Sequence, residues 1–245
     1  SAGSSSGAPA RVRPLTSGTP DAVVPRFLAA ARDRLGDTVD IIADVGLSPY
    51  TADGHSVVMD AGAIDVEASY RAAGDLAVAF AAAGADAVAP CLSLPRQVGE
   101  IGAALAGAGV PTPIVAYSAK FSSAFYGPYR ATVRSELGSG RKSYQTDFTD
   151  AGKAIAQLAD DIDQGAAMVI VKPSMLYLDV LAQVCRTAGV PVCAYQVSGE
   201  YLSLHLAAEH GGMNIDDLFD EYHAAIERCG TDFVIGYAGD HFLRR

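Results

Sequence analysis

Short apolar runs alternate along this chain with longer segments in which apolar and polar residues recur at helical spacing. The runs are rich in β-branched residues, which is typical of strands buried on both faces of a parallel sheet. Six such runs are present, at residues 39–45, 87–90, 113–120, 166–172, 191–197 and 233–237. The pattern therefore predicts a parallel sheet of six strands.

The segments between these runs carry the periodicity of helices that bury one face. Helices are expected at residues 21–35, 65–83, 96–108, 151–164, 178–188 and 215–228. Asp21 is expected as the N-cap of the first helix, and Gly84 as the C′ residue of the second. Two polar segments, 46–60 and 121–149, are expected to be loops that follow strands.

Repeated αβ units of this kind fit either a (β/α)8 barrel or a doubly wound sheet. The residues at the strand ends favour the barrel, because barrel enzymes collect catalytic groups from the carboxyl ends of several strands. These residues are Asp44, Cys91, Lys120, Lys172, Ser198 and Tyr237. No GxGxxG motif follows a strand, which argues against a dinucleotide-binding fold. The closed barrel has eight strands, so we expect an α/β fold of the (β/α)8 TIM-barrel type, truncated to about six βα units.

Length and composition set the number of domains. With 245 residues, of which 50% are hydrophobic, the chain can bury one sizeable core. Residues 21–245 are therefore expected to form a single barrel domain. Residues 1–20 are rich in Ser, Gly, Ala and Pro, a composition typical of a flexible leader.

Charge and cysteine usage exclude several classes of partner. The net charge of −10 argues against nucleic acid and anionic membranes. No apolar run has the length of a membrane span, and the first residues lack the order of a signal peptide. The four cysteines form no CxxC motif and no metal-ligand spacing, which is typical of small buried residues in a reducing compartment. These features favour a cytoplasmic protein.

Lysine is rare in this sequence, and half of the lysines stand at strand ends. There are four lysines among 18 basic residues, and two of them, Lys120 and Lys172, end apolar runs. A lysine amine can lose its proton and attack a carbonyl to form a Schiff base, whereas a guanidinium cannot. A second cation nearby lowers the pKa of an amine and promotes that reaction. The alternative is a lysine that only extends from the strand end to solvent.

Four segments around these lysines resemble one enzyme family, porphobilinogen synthase, also called 5-aminolevulinate dehydratase. Residues 117–130 (YSAKFSSAFYGPYR) are similar to its first active-site lysine segment, and residues 171–179 (VKPSMLYLD) to its second. Residues 194–201 (AYQVSGEY) match a third signature, and residues 140–145 (GRKSYQ) resemble the basic loop between the lysines. The resemblance runs from about residue 21 to the C-terminus, and long motifs in the same order make it highly specific.

The resemblance implies a (β/α)8 barrel that condenses two molecules of 5-aminolevulinate, an aminoketone, into a pyrrole. It implies that Lys172 forms a Schiff base with the first substrate. Lys120 would hold the second substrate, either as a Schiff base or as a nearby cation. An iminium at a lysine acidifies the adjacent carbon, which is what carbon–carbon bond formation needs.

The resemblance also implies a site for the carboxylate of the second substrate. Arg130 and Arg141 would bind it, with Gln145 beside them. Arginine suits this role because its planar guanidinium binds a carboxylate through two hydrogen bonds. The alternative for the two arginines is a solvated loop.

Four further residues complete the predicted site. Ser198 and Tyr237 would bind the carboxylate of the first substrate, and Tyr195 is a further substrate-binding candidate. Asp44 would lie near the amino group or near the lysines. The structural alternatives are a core position for Tyr237, with its hydroxyl satisfied, and a loop cap for Asp44.

The sequence departs from the family at its metal site. Zinc-dependent members carry three cysteines after the first matched strand, and the matching positions here are Gly46, Ser48 and Ser56. We therefore expect no cofactor and no metal at the catalytic site, while a peripheral Mg²⁺ ion is compatible with the sequence. In segment 91–97 (CLSLPRQ), the positions at which the family pattern has two carboxylates and an arginine carry other residues. Cys91 in this segment is either a site thiol or a small buried residue.

These features favour a diverged paralogue without counterparts of the N-terminal arm and the first two barrel strands of the family. The first hypothesis is a Schiff-base lyase or dehydratase that condenses aminoketones such as 5-aminolevulinate to a pyrrole or a related product in specialised metabolism. The second is a non-catalytic protein that binds an aminoketone or pairs with a subunit that completes the barrel. The third is a single-substrate Schiff-base lyase or aldolase. The exposed edges of an open barrel also predict a homo-oligomer.

Overall fold

The computed structural model describes residues 22–51, 54–132 and 144–243. The helices in these ranges are α1 (Val23–Leu35), α2 (Val66–Ala82), α3 (Gln97–Gly107), α4 (Gly127–Thr132), α5 (Ala151–Asp163), α6 (Leu178–Thr187), α7 (Ser198–Gly211), α8 (Ile215–Arg228) and α9 (Gly239–Leu243). The strands are β1 (Ile42–Val45), β2 (Met59–Asp60), β3 (Ala63–Ile64), β4 (Ala87–Pro90), β5 (Val115–Lys120), β6 (Met168–Lys172), β7 (Val192–Tyr195) and β8 (Phe233–Ile235). No helix within these ranges combines the length and apolar character that crossing a bilayer requires.

Six of the strands run parallel and follow one another in chain order. β1 pairs with β4, while β5, β6, β7 and β8 form a four-stranded sheet. The two groups are joined at Val88, whose amide donates a hydrogen bond of 3.0 Å to the carbonyl oxygen of Pro113. β2 and β3 form a short antiparallel hairpin in the loop after β1. The six parallel strands predicted from the apolar runs are confirmed.

The parallel strands bury side chains on both faces. On one face, Val169 and Val171 of β6 pack in the larger core with residues of the helices. On the other face, a smaller cluster contains Ala87, Ala89, Cys91, Val115, Tyr117, Ile170 and Cys193. Inward and outward positions alternate along the strands of a barrel. The smaller cluster is therefore the interior, and the helices cover the outside.

An irregularity in β5 changes the direction of its last side chain. Val115 and Tyr117 belong to the interior cluster, and strict alternation would then turn Lys120 toward the helices. The register with β6 shifts between Ala116 and Ala119. A bulge of this kind re-aims the residues that follow it. As a result, the Lys120 side chain lies in the interior, where it contacts the Tyr117 ring.

The predicted helices are confirmed with ends that differ by a few residues, but the prediction lacks α4, α7 and α9, and α4 lies in the segment 121–149 that was expected to be a loop. β7 ends at Tyr195, and α7 begins at Ser198, where the sequence indicates only the end of a strand. Gly84 follows α2 with a φ of +101°, in agreement with the predicted C′ position. Asp21 and the predicted leader lie outside the described residues, and α1 begins at Val23.

Candidate active site

The carboxyl ends of the parallel strands border a cavity of about 470 Å³. Its wall includes seven of the nine residues that the sequence predicts for the site: Asp44, Lys120, Gln145, Lys172, Tyr195, Ser198 and Tyr237. Arg130 lies outside this wall, and Arg141 lies outside the described residues. The cavity thus occupies the end of the barrel at which enzymes of this fold carry their active sites.

Lys172 ends β6 and is surrounded by tyrosine rings. Its Nζ lies 3.9 Å from the ring centroid of Tyr195, 4.7 Å from that of Tyr117 and 5.7 Å from that of Tyr126. The face of an aromatic ring attracts a cation. These three rings therefore stabilise positive charge at Nζ, whether it belongs to an ammonium or to an iminium.

Two effects lower the pKa of Lys172 to about 8. Burial of the amine is the larger effect, and the charge of Lys120 is the second, while Asp44 acts in the opposite direction. At pH 7, roughly a tenth of the molecules would carry a neutral Lys172 amine. This is the form that attacks a carbonyl carbon.

Lys120 ends the neighbouring strand and is in register with Lys172. Its side chain is buried, and its Nζ donates a hydrogen bond of 2.8 Å to the carbonyl oxygen of Cys91. The bond directs this amine toward the end of the adjacent strand β4. The structure therefore brings together the two amines that the sequence places at separate strand ends.

Asp44, near the end of β1, accepts hydrogen bonds from two interior groups. Its Oδ2 lies 3.1 Å from the Tyr117 hydroxyl, and its Oδ1 lies 3.4 Å from the Cys91 thiol. Burial and the charge of Asp44 raise the pKa of both donors, to about 11 for Cys91. Both donors therefore stay protonated near neutral pH. Asp44 places a negative charge close enough to Lys172 to oppose the lowering of the pKa of that amine.

Gln145 is held in place beside Lys120 by hydrogen bonds of its two neighbours in the sequence. The amide of Thr146 donates to the carbonyl oxygen of Lys120 at 3.3 Å, and the hydroxyl of Tyr144 accepts from the amide of Ser56 at 3.1 Å. The amide group of Gln145 is buried on the cavity wall, and neither its oxygen nor its nitrogen has a partner among the described residues. A buried amide in this state is an unused donor and acceptor, and a ligand could satisfy it.

Arg130, in α4, approaches the site without lining the cavity. Its Nη2 donates to the carbonyl oxygen of Ser123 at 3.4 Å, and its buried Nε has no partner in the part of the chain that the structure describes. The adjacent Tyr129 does line the cavity. Within the described residues, the guanidinium therefore keeps one unused donor, Nε, next to a residue that lines the cavity.

Ser198 and Tyr237 lie on the wall together with Tyr195. Ser198 is the first residue of α7, and its buried Oγ has no partner within the described ranges. Tyr237 follows β8 and is 48% exposed, so it is not the core tyrosine of the structural alternative. The cavity wall therefore carries an accessible tyrosine and a hydroxyl that has no partner among the described residues, together with the Lys172 amine.

The sequence prediction assigns no role to Tyr117 and Tyr126, although both lie in the first lysine segment. The Tyr126 hydroxyl donates to the carbonyl oxygen of Lys172 at 3.4 Å. Burial raises the pKa values of both phenols well above the ordinary value of a tyrosine. Both hydroxyls are therefore neutral hydrogen-bond donors. Their presence beside Lys120 in the sequence is a signal, but the contacts of their rings with Lys172 depend on the pairing of β5 with β6 and on the turn Ala124–Tyr126.

The zinc site implied by the resemblance does not fit these residues. A Cβ added at Gly46 would lie 3.0 Å from Asp44 Oδ1 and 3.2 Å from Cys91 Sγ, so neighbouring side chains already fill that space. The other two positions are Ser48, whose hydroxyl pairs with a tyrosine, and the buried Ser56. Zinc in proteins is bound by thiolate, imidazole or carboxylate, and these three positions offer none of them. No three His, Cys, Asp or Glu side chains of the described residues are grouped to hold a metal ion.

Parallel βα units with paired lysines at the carboxyl ends of the strands define an α/β barrel of the TIM type, with its candidate active site at the usual end. A model of the family described as "Delta-aminolevulinic acid dehydratase" matches residues 14–245. The chain is 40% identical over 225 residues to the delta-aminolevulinic acid dehydratase of Streptomyces coelicolor, a match that covers 91% of this chain and 68% of the relative. It is 39% identical over 221 residues to the enzyme of the same name from Rhodobacter capsulatus, over 89% of this chain and 66% of the relative. The chain therefore belongs to the delta-aminolevulinic acid dehydratase family.

A solved structure extends the comparison to three dimensions. It is the crystal structure of delta-aminolevulinic acid dehydratase (porphobilinogen synthase) from Toxoplasma gondii ME49 in complex with the reaction product porphobilinogen. The TM-score is 0.88 at 37% identity, and the match covers 93% of this chain and 66% of that chain. The barrel-type fold and the family predicted from the sequence are confirmed. The chain spans about two thirds of the length of these relatives.

Proposed function

We propose that this chain forms a Schiff base between Lys172 and 5-aminolevulinate, and that it condenses two molecules of this aminoketone to the pyrrole porphobilinogen, with release of two molecules of water. One observation carries the proposal. The Lys172 amine lies on the wall of the cavity, is surrounded by three tyrosine rings, and has a pKa lowered to about 8. Membership of the family supports the same reaction. The relatives give no support to a role in specialised metabolism.

In the first step, the neutral Lys172 amine attacks the ketone carbon of one substrate. The ketone oxygen leaves as water after it takes one proton from the amine and one from a neighbouring acid, and a protonated C=N bond remains. The tyrosine rings around Nζ stabilise this cation. The cationic imine then makes the adjacent carbon acidic enough to form the new carbon–carbon bond.

The second substrate would lie on the side of Lys120. Lys120 acts there either as a second Schiff base or as the cation that keeps the Lys172 amine partly neutral. Among the described residues, neither the amide of Gln145 nor the Nε of Arg130 has a hydrogen-bond partner, and this supports a carboxylate contact on this side. Arg141 would complete that contact.

The carboxylate of the first substrate would bind at Ser198 and Tyr237, beside Tyr195. The Ser198 hydroxyl is available, since it is buried without a partner among the described residues. Asp44, which lines the cavity and accepts a hydrogen bond from Tyr117, would receive the amino group of a substrate. Oppositely charged ends of one small molecule would then bind at separate places on the same wall.

Product analysis tests the proposal. Incubation with 5-aminolevulinate should yield porphobilinogen, identified in solution by its mass, which is that of two substrates less two waters. Absence of product together with an adduct on Lys172 would favour the single-substrate Schiff-base lyase. Absence of both would contradict the proposal and favour the non-catalytic binding protein.

Turnover should not depend on zinc. Gly46, Ser48 and Ser56 supply no zinc-binding side chain, so removal of zinc should leave the Schiff-base chemistry of the lysines unchanged. We expect the rate of product formation after dialysis against a strong chelator to stay within about twofold of the untreated rate. Loss of turnover that added zinc restores would contradict this prediction, and a zinc-dependent hydrolase treated in parallel shows that the chelation is complete.

Association between copies of the chain is also expected. Phe27 of α1 is 67% exposed, Ile42 of β1 is 44% exposed and Phe233 of β8 is 54% exposed. Apolar side chains beside the outer strands β1 and β8 are stabilised when another surface covers them. Light scattering at micromolar concentration should therefore give the mass of a dimer or a larger oligomer. A stable monomer would count against the prediction.

A further inference from the structure

Glu200 is a fully buried carboxylate to which the chemistry above assigns no role. It lies in the first turn of α7. Its Oε1 accepts hydrogen bonds from the amides of Ser174 at 3.0 Å and Met175 at 2.5 Å, and its Oε2 accepts one from the amide of Val197 at 2.7 Å. One side chain therefore holds together two backbone segments that are distant in the sequence.

Each of these segments carries a residue of the proposed site next to the bonded amides. Ser174 follows Lys172 by two positions, and Val197 immediately precedes Ser198. Lys172 is the proposed nucleophile for the ketone, and Ser198 is a proposed contact for the carboxylate of the same substrate. The ketone and the carboxylate of 5-aminolevulinate are joined by a short chain. The separation of the two protein groups therefore decides whether both ends can bind together.

The contacts of Glu200 are costly to form, which argues for a specific role. Burial raises the pKa of Glu200 to about 7, against the three amide donors and the charge of Lys172, which favour the carboxylate. The loop that it holds is fixed further by the hydroxyl of Ser174, which donates to the carbonyl oxygen of Tyr195 at 3.1 Å and lies 2.7 Å from the hydroxyl of Tyr222. Burying a carboxylate costs free energy unless hydrogen bonds compensate it, and three backbone amides of two separate segments do so for Glu200.

We infer that Glu200 is a positioning residue that sets the distance between the Schiff-base lysine and the carboxylate-binding serine, and that it thereby favours aminoketones with a carboxylate at the reach of 5-aminolevulinate. The inference rests on the proposed function of Lys172 and Ser198. Glu200 acts through these two residues, since its own oxygens are occupied by the backbone amides.

The substitution Glu200→Gln tests this role with little change in volume. A glutamine side chain has a single acceptor oxygen. This oxygen can accept hydrogen bonds either from the Ser174 and Met175 amides or from the Val197 amide, and the NH₂ group then faces the segment that is left without an acceptor. The measurement compares borohydride trapping of two aminoketones. One is 5-aminolevulinate, and the other is aminoacetone, which lacks the arm that carries the carboxylate. In Glu200→Gln, the ratio of the trapping rate of 5-aminolevulinate to that of aminoacetone should fall by about tenfold.

A matched control separates this effect from a general loss of structure. Asp161 is also a fully buried carboxylate, and it accepts hydrogen bonds from Gln97 at 3.1 Å and Gln157 at 2.9 Å, away from the cavity wall. In Asp161→Asn the ratio should equal that of the wild type. Partial unfolding lowers both trapping rates together and leaves the ratio unchanged, so the ratio reports only on folded molecules.

Three results would be decisive. A wild-type ratio retained in Glu200→Gln would overturn the inference. If that variant yields no folded protein, Glu200→Asp replaces it, since aspartate keeps the charge but is shorter by one methylene, and an unchanged ratio there overturns the inference equally. Absence of any adduct in the wild-type protein would instead contradict the proposed function of Lys172, so the two failures are distinguishable.

Discussion

Replacement of Lys172 by alanine should abolish formation of porphobilinogen, with a loss in kcat on the order of a thousandfold or more. The Lys172 amine is the group that the three tyrosine rings surround, and its lowered pKa supplies the neutral form that attacks a ketone. Alanine removes the nucleophile. A water molecule cannot take its place, because an imine forms only with an amine nitrogen. Steady-state assays of the pyrrole measure the effect directly.

The control for this variant is Lys153→Ala. Lys153 is an exposed lysine in the first turn of α5, and only its backbone amide takes part in the cap formed by Asp150. Its removal should leave kcat unchanged. Circular dichroism of both variants reports whether they fold. Retention of wild-type turnover in a folded Lys172→Ala protein would contradict the account.

Replacement of Lys120 by methionine should shift the pH dependence of Schiff-base formation toward higher pH. The charge of Lys120 is the second cause of the lowered pKa of Lys172, so its removal raises that pKa. The neutral amine is present above the pKa and is lost as pH falls through it. A higher pKa therefore reduces the fraction of reactive amine at pH 7, by about tenfold for each unit of increase. The rate of borohydride trapping across the pH range from 6 to 10, chosen to bracket the wild-type pKa of about 8, measures the shift.

The variant Lys120→Arg separates the two roles that are open for Lys120. Arginine keeps the positive charge but cannot form a Schiff base. If Lys120 acts only as a cation, Lys120→Arg should keep both the pH profile and the formation of pyrrole. If Lys120 also binds the second substrate covalently, the pH profile of the first adduct should persist while pyrrole is lost. A profile of Lys120→Met identical to that of the wild type would refute the electrostatic coupling.

The strand ends that carry Lys120 and Lys172 could be predicted because each lysine closes an apolar run. A run of β-branched residues has few alternatives to a buried strand, and the residue that ends it must lie at an edge of the sheet. The same reasoning places Asp44 and Ser198 at the correct edge. The apolar runs do not predict toward which face of the sheet each of these side chains points.

The bulge in β5 shows why that side was not predictable. Tyr117 and Lys120 are an odd number of positions apart, so alternation places them on opposite faces of the strand. The register shift between Ala116 and Ala119 returns Lys120 to the interior. A bulge depends on how the neighbouring strand pairs, which a local pattern does not contain. The contacts of Lys172 with the rings of Tyr117 and Tyr126 could not be predicted either, because they depend on how separate segments of the chain pack.

The helix α7 could not be predicted because its first turn is shaped by contacts from elsewhere in the fold. A Cβ at Gly199 would overlap the backbone of Phe125, so a glycine is required where the helix begins. Gly199 reads in the sequence as a sign of a turn. The carboxylate of Glu200, which bonds the amides of Ser174 and Val197, is likewise invisible in a pattern of apolar and polar residues.

The most direct test of the central claim is the intact mass of the protein after incubation with 5-aminolevulinate and borohydride. We predict a gain equal to one substrate molecule less one oxygen atom, located at Lys172 by proteolysis, absent from Lys172→Ala and present in Lys153→Ala. An adduct of equal yield in Lys172→Ala, or no adduct in the wild-type protein, would contradict the assignment of Lys172 as the Schiff-base residue.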